Sequence, residues 1–255
     1  MGRRRTIARI ALTAAAAAFL NGEYYKYGLT LFLQPLLFAL YLAYATMAED
    51  LIRRFGWGSR ELFGFGAVFG LVMEGFMTRS FYADPPLVLG VNWLTVAIQV
   101  LYWGLATSVL AFYVSGRLLP RTAAGPMLPP AGWALVGAWW VALLAVWNAA
   151  LPPLRSPGAI PIAAIAAAGA AALVLRSRRV RGRAPGRPLA RSVVLDAAIG
   201  VALALELVVG TARSLLGPAG AAAPSPAVIW TWIAAGVALS AVAGPYAFGS
   251  EGVAV

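Results

Sequence analysis

The chain has no cysteine and no histidine among its 255 residues. These absences exclude disulfides, thiolate or imidazole metal sites, haem ligation by these residues and general acid or base catalysis by histidine. Lys26 is the single lysine among 20 basic residues, and it lies in a short connection between two apolar runs. A Schiff base of the retinal type therefore has no candidate lysine inside a membrane.

Charge is also scarce. Charged residues make up 11% of the chain, hydrophobic residues 61%, and the mean hydropathy is +0.79. A water-soluble domain carries about 25% charged residues, so this composition predicts an integral membrane protein. The apolar runs lack the alternation of a barrel strand, and backbone groups in hydrocarbon must pair within the chain. We therefore predict an all-α fold, a polytopic transmembrane helix bundle.

The apolar runs predict eight helices within one integral membrane domain, residues 1–255. Their predicted bounds are 6–20, 29–48, 61–77, 91–114, 131–151, 160–175, 193–211 and 227–244. The first run is also compatible with a cleaved signal peptide, which would leave seven helices. Phe19, Leu20 and Asn21 make a poor cleavage site, which favours a retained helix.

The basic residues fall almost wholly in every second connection. Four precede or begin the first helix, three follow the second, two follow the fourth and seven follow the sixth. The opposite side keeps only Lys26, Arg79, Arg155 and Arg213. By the positive-inside rule, this asymmetry predicts a cell-membrane protein with both termini in the cytoplasm.

Much of the positive charge lies in a basic cytoplasmic loop from Arg176 to Arg191, residues 176–191. This loop has no aromatic residue that could stack on a base, so we expect no nucleic-acid partner. A basic loop beside a membrane favours anionic lipid headgroups. Arginine in place of lysine, with abundant Ala, Gly and Pro, is typical of a GC-rich bacterial genome.

Two carboxylates lie well inside predicted spans, Glu74 in the third helix and Glu206 in the seventh. A charged carboxylate at the bilayer centre costs about 2.5–3.5 kcal/mol, so something must compensate it. Glycine and alanine recur at i,i+4 spacing on the same stripe as each glutamate. Small residues on these stripes predict that both faces pack against protein.

Other polar side chains fall at a similar depth, which predicts a polar cavity open toward the outside. Arg79 and Arg213 would lie near its mouth as partners for the carboxylates. The predicted ligand-binding residues are Glu74, Glu206, Arg79, Asn92, Gln99, Asn148 and Arg213. A set of interhelical hydrogen bonds that hold the bundle together explains the same pattern.

The remaining acidic positions have structural interpretations. Glu49 and Asp50 can pair with Arg53 and Arg54 at i,i+4 spacing, as expected of a solvated helix end. Asp196 lies near the start of the seventh helix, where an acidic side chain favours the helix dipole. No phosphate-loop, nucleophile-elbow or zincin motif occurs, and we expect no cofactor or metal.

The stretch 69–80, FGLVMEGFMTRS, followed by Gly90-Val91-Asn92-Trp93, resembles a group of prokaryotic multi-pass membrane proteins of uncharacterised function. Those proteins carry a Glu-Glu-Gly motif at this point and are distantly similar to CPBP intramembrane proteases, which use paired glutamates with histidines on later helices. Here Met73 replaces the first glutamate, and the chain has no histidine. The resemblance implies a degenerate member that does not cleave peptides.

Three functions remain open. The first is binding or transport of a small molecule or lipid through the outward cavity, with Glu74 and Glu206 as ligand or proton sites. The second is a subunit or assembly factor of a larger membrane complex. The third is an intramembrane hydrolase-like enzyme in which Glu74 is the general base, with a hard cation such as Mg²⁺ on carboxylate and amide oxygens.

Overall fold

The computed structural model describes residues 2–24, 33–82, 87–121, 125–149, 154–180, 192–216 and 226–248. This part of the chain is helical and contains no strand. Its eight helices are α1 (Gly2–Leu20), α2 (Leu33–Phe55), α3 (Ser59–Val72), α4 (Trp93–Leu118), α5 (Pro130–Ala149), α6 (Ala159–Val180), α7 (Val193–Leu216) and α8 (Pro226–Phe248). The predicted all-α fold is confirmed.

Two of these helices leave the α-helical hydrogen-bond pattern. A π-helical turn, Met73–Met77, continues α3, and a π-helical segment, Tyr102–Leu110, forms the middle of α4. Such i→i+5 segments are rare and widen the helix locally. The hydrophobic periodicity of the sequence did not predict either segment.

Five of the described helical stretches are long and apolar enough to cross a membrane. They are Pro35–Phe55, Trp93–Leu118, Pro130–Ala149, Ala159–Arg179 and Val193–Ala212. A span needs about 20 mostly apolar residues, and several spans in one chain make this a polytopic membrane protein.

The residues group into two compact units, where the sequence predicts one domain. The terminal unit comprises residues 1–45, 105–123 and 187–255, and the central unit comprises 46–104 and 124–186. In the terminal unit, α7 packs against α1 and α8, and α1 also contacts the end of α4. In the central unit, α3 packs against α6 and against the start of α4.

Small residues bring α6 close to α3. A Cβ atom at Gly169 would lie 2.7 Å from Val68 Cγ2, and one at Gly75 would lie 2.9 Å from Ile162 Cγ2. The predicted basic loop begins as a continuation of this helix, because residues 176–180 are still part of α6. Residues 181–191 lie outside the described residues.

The end of α2 corrects one prediction. The pairs Glu49 with Arg53 and Asp50 with Arg54 form, at 3.3 and 2.9 Å, but the two carboxylates are 1% and 0% exposed. Asp50 also accepts hydrogen bonds from the backbone N–H groups of Met127 and Leu128, at 2.5 and 2.7 Å. The prediction of a solvated helix end is therefore wrong. The Asp50 carboxylate is buried and anchors the segment that leads into α5.

We expect Gly70→Ala to destabilise the protein, because the new Cβ would lie 2.6 Å from Trp103 Cγ. Overpacking of this kind costs about 1–3 kcal/mol. Thermal unfolding of the purified protein in detergent measures the effect. The matched control is Gly137→Ala on α5, where a new Cβ meets no atom within 4 Å. Equal stability of the two variants would contradict the packing.

Candidate functional site

Glu74 lies in the π-helical turn at the end of α3 and is 8% exposed. Its Oε1 accepts a hydrogen bond of 3.1 Å from the indole Nε1–H of Trp103. Its Oε2 accepts hydrogen bonds from the hydroxyls of Thr78 and Ser80, at 2.6 and 2.8 Å. Three neutral donors therefore hold the carboxylate inside the central unit.

The two π-helical segments position Glu74 and Trp103. The backbone N–H of Thr78 donates to the Met73 carbonyl across five residues, at 2.9 Å, and closes the turn that carries Glu74. Trp103 lies in the π-helical segment of α4, is 2% exposed and fills the space beside Gly70. Carboxylate and indole meet where both helices leave α-helical geometry.

Aromatic rings form one wall beside this contact. Phe69 lies one turn before Glu74 on α3, and its ring centroid is 5.4 Å from that of Trp103. Phe69 also meets Trp140 of α5 edge to face, with centroids 4.4 Å apart. Aromatic pairs in this arrangement add about 0.5–1.5 kcal/mol beyond their buried area, so the indole that holds Glu74 is itself fixed.

Tyr82 contributes a second polar group at this end of α3. Its hydroxyl lies next to Gly75, 3.4 Å from the position of an added Cβ. The hydroxyl oxygen is buried and has no hydrogen-bond partner among the residues that the structure describes. Burial raises the pKa of Tyr82 above its ordinary value near 10. A buried donor without an acceptor costs about 1–3 kcal/mol.

Arg79 and Asn148 come together at the same end of α3. The Asn148 amide nitrogen donates to the carbonyls of Phe76 and Leu144, at 2.9 and 2.8 Å. Its amide oxygen accepts a hydrogen bond from the Arg79 guanidinium. Arg79 is thus held by an amide, whereas the donors to Glu74 are hydroxyl and indole groups. Its backbone has φ +60°, a conformation that costs a side-chain-bearing residue about 1–2 kcal/mol.

Asn92 and Gln99 lie on α4. Asn92 is the N-cap: its side-chain oxygen accepts from the Thr95 backbone N–H at 3.1 Å, and its own N–H donates to the Phe81 carbonyl at 2.8 Å. These contacts give Asn92 a structural role: it caps the start of α4 and bonds that start to the turn after α3. Gln99 is partly exposed, about two turns along the helix.

Glu206 belongs to the terminal unit, where it is 0% exposed on α7. Gly210, one turn later, is buried against Tyr24. The small-residue stripe of α7 therefore faces protein, as it does on α3, where Gly66 and Gly70 are buried. The side chain of Arg213 lies outside the described residues.

Sequence reasoning missed a buried polar network in the terminal unit. The Asn21 amide nitrogen donates to Glu23 Oε1 at 2.8 Å and to the Tyr41 hydroxyl at 2.5 Å, and Tyr41 donates to the same Glu23 oxygen at 2.8 Å. Thr107 donates to the Asn21 oxygen at 3.3 Å. Glu23 follows directly after an apolar run and reads as a loop residue. The one available signal was the presence of Tyr41 and Thr107 in the middle of predicted spans.

Comparison with known proteins adds no assignment, since no family model, curated protein or solved structure matches the chain. Within the described ranges, no group of three or more His, Cys, Asp or Glu side chains is placed to hold a metal ion. The Glu74 carboxylate can accept hydrogen bonds and bind a positively charged or donor group.

We expect Trp103→Phe to lower the free energy of unfolding by about 1–3 kcal/mol, because Glu74 Oε1 loses its donor while the aromatic contact with Phe69 remains. A double-mutant cycle with Glu74→Ala, which removes the acceptor, should show coupling between the two side chains in thermal unfolding. Trp139→Phe on an exposed face of α5 is the control, since Trp139 is 42% exposed. Additive effects of Trp103 and Glu74 would contradict the contact.

Proposed function

We propose that this chain is a multi-pass protein of the bacterial cell membrane that binds or moves a small molecule or lipid. Binding takes place at the polar group around Glu74, entered from the outer face. The observation that carries this proposal is a buried carboxylate at the end of α3, together with a buried Tyr82 hydroxyl near Gly75 that has no partner among the described residues. An acceptor group on the ligand would satisfy the Tyr82 hydroxyl, and a donor or positively charged group would bind the Glu74 carboxylate.

The cost of burial supports a functional role for Glu74. An amide could join α3 to α4 through the same three neighbours, without the penalty of a charge inside the membrane. A carboxylate adds the capacity to exchange a proton or bind a cation. Ionisable groups inside a membrane mark ligand and proton pathways more often than packing contacts.

The backbone around the site supports the same proposal. Two π-helical segments meet at Glu74, and Arg79 adopts a left-handed conformation five residues later. Short π-helical insertions and strained backbone conformations are enriched at functional sites. The sequence and the local structure thus draw attention to the same residues independently.

We expect Glu74→Gln to abolish ligand retention while it preserves folding. Glutamine keeps an oxygen for Trp103, and the hydroxyls of Thr78 and Ser80 can rotate to accept from its amide nitrogen. Mass spectrometry of small molecules and lipids released from the protein in native nanodiscs measures retention.

Glu61→Gln is the matched control. Glu61 is a buried carboxylate at the opposite end of α3, where it accepts from the Gly58 backbone N–H at 2.9 Å and pairs with Arg176. We expect this variant to retain what the wild type retains. Retention profiles that are identical in wild type and Glu74→Gln would contradict the proposal.

The proposed orientation places both termini in the cytoplasm, on the basis of the arginine distribution. In this orientation Arg178 and Arg179, exposed at the end of α6, face the cytoplasmic leaflet. Each arginine near an anionic surface contributes about 1 kcal/mol of attraction. Anionic lipid is therefore the proposed partner of the segment from Arg176 to Arg191.

Because the chain has no cysteine, single-cysteine labelling can test this orientation without background. Leu89→Cys lies between α3 and α4, where Leu89 is 74% exposed, and should react with a membrane-impermeant maleimide on intact cells. Arg178→Cys should react only after the cells are permeabilised. The reverse labelling pattern would show that the chain has the opposite orientation in the membrane.

A second candidate function is a subunit or assembly factor of a larger membrane complex. The closed hydrogen-bond network of Glu74 favours this reading, because it joins α3 to α4 without any ligand. Stable co-purification with other chains in mild detergent would support it. The third candidate is an intramembrane hydrolase-like enzyme with Glu74 as the general base and a hard cation, and activity retained by a metal-free preparation would remove it.

A further inference from the structure

A cavity in the terminal unit shares no lining residue with the Glu74 site. It has a volume of about 490 Å³ and is lined by Tyr113, Val114, Arg117, Leu118, Asp196 and Ile199. The size is in the range of about 300–1,000 Å³ that is usual for small-ligand sites. Its walls come from the end of α4 and the start of α7.

The polar side of the cavity carries one charge of each sign. The Arg117 guanidinium donates through Nη2 to Asp196 Oδ2 at 2.7 Å, and the Tyr113 hydroxyl donates to Asp196 Oδ1 at 2.6 Å. The side chains of Arg117 and Asp196 are 33% and 37% exposed. Arginine has five N–H donors and a carboxylate about four acceptor sites, so both groups have capacity for a further partner.

The opposite side of the cavity is apolar and partly open. Leu118 is 64% exposed, while Ile199 is 4% exposed and forms a buried wall. The cavity therefore combines a charged pair with aliphatic surface, which is the pattern of an amphiphile. An isolated anion would be attracted to Arg117 but repelled by Asp196.

The positions of Arg117 and Asp196 along their helices indicate the depth of the cavity in the membrane. One candidate span ends at Leu118, and another begins at Val193. Ends of apolar spans lie at the level of the lipid headgroups. The charged pair is thus at headgroup depth, with aliphatic side chains alongside.

We propose that this cavity binds a zwitterionic phosphoethanolamine headgroup, with its phosphate on Arg117 and its ammonium on Asp196. A primary ammonium donates hydrogen bonds to a carboxylate, whereas the quaternary ammonium of phosphocholine has no N–H to donate. The charges of the headgroup match those of the pair, unlike an anionic glycerol headgroup. The site depends on the membrane placement of the helices and is independent of the function of Glu74.

Native mass spectrometry of the full-length, delipidated protein tests the site. Three lipids with identical acyl chains are titrated separately: phosphatidylethanolamine, phosphatidylcholine and phosphatidylglycerol. Soluble phosphoethanolamine, which has no acyl chains, is titrated as the fourth compound. At the site that Leu118→Trp fills, we expect one phosphatidylethanolamine to bind more tightly than the other three compounds. Arg117→Gln should weaken it about tenfold through the loss of a charge-assisted hydrogen bond, and Leu118→Trp should weaken it by filling the cavity.

The control is Arg155→Gln, which removes an exposed arginine just before α6, outside the cavity, and should leave binding unchanged. Leu118 is exposed, so Leu118→Trp keeps the test valid if Arg117→Gln fails to fold. At that site, equal binding of the three lipids or tighter binding of phosphatidylglycerol would overturn the proposal, and so would phosphatidylethanolamine binding that Leu118→Trp leaves unchanged. If soluble phosphoethanolamine bound as tightly as phosphatidylethanolamine, the ligand of the cavity would be a free metabolite and not a lipid.

Discussion

The structure depends on one constraint: a polar side chain in hydrocarbon must find its partner inside the chain. Glu74 meets it with an indole and two hydroxyls. The Asn21, Glu23, Tyr41 and Thr107 network meets it within the terminal unit. In each unit, the polar contacts define which helix faces meet, because lipid tails provide no hydrophobic force that would select them.

Small residues make these contacts possible. The indole of Trp103 reaches the Glu74 carboxylate only because Gly70 presents no side chain in its path. Gly169 and Gly75 allow α6 to approach α3 in the same way. When two helix backbones lie close together, a polar side chain has a shorter distance to cover to its partner on the other helix. Small-residue packing and polar pairing therefore reinforce each other.

Two of the charged groups at helix ends, Asp50 and Asp196, have different surroundings. Asp50 is enclosed by backbone N–H groups and Arg54, and it holds the segment before α5 in place. Asp196 pairs with Arg117 at a partly exposed position, beside a cavity. The first arrangement is closed and structural, whereas the second retains capacity for a ligand at headgroup depth.

The sequence by itself determined that the chain is an all-α membrane protein with eight helices, because apolar length and the pairing of backbone groups leave no other choice in hydrocarbon. It also identified the protein-facing stripes of α3 and α7, since small residues at i,i+4 spacing mark close packing. Local spacing likewise predicted the ion pairs at the end of α2, though not their burial.

Only the tertiary structure decided which polar groups meet. Trp103 and Glu74 are distant in sequence, and their contact requires two π-helical segments that hydrophobic periodicity does not reveal. Asn148 binds Arg79 and the end of α3, and Glu23 binds Tyr41, for the same reason. Periodicity gives the face of a helix, but the partner of a side chain depends on which helices pack together and at what depth.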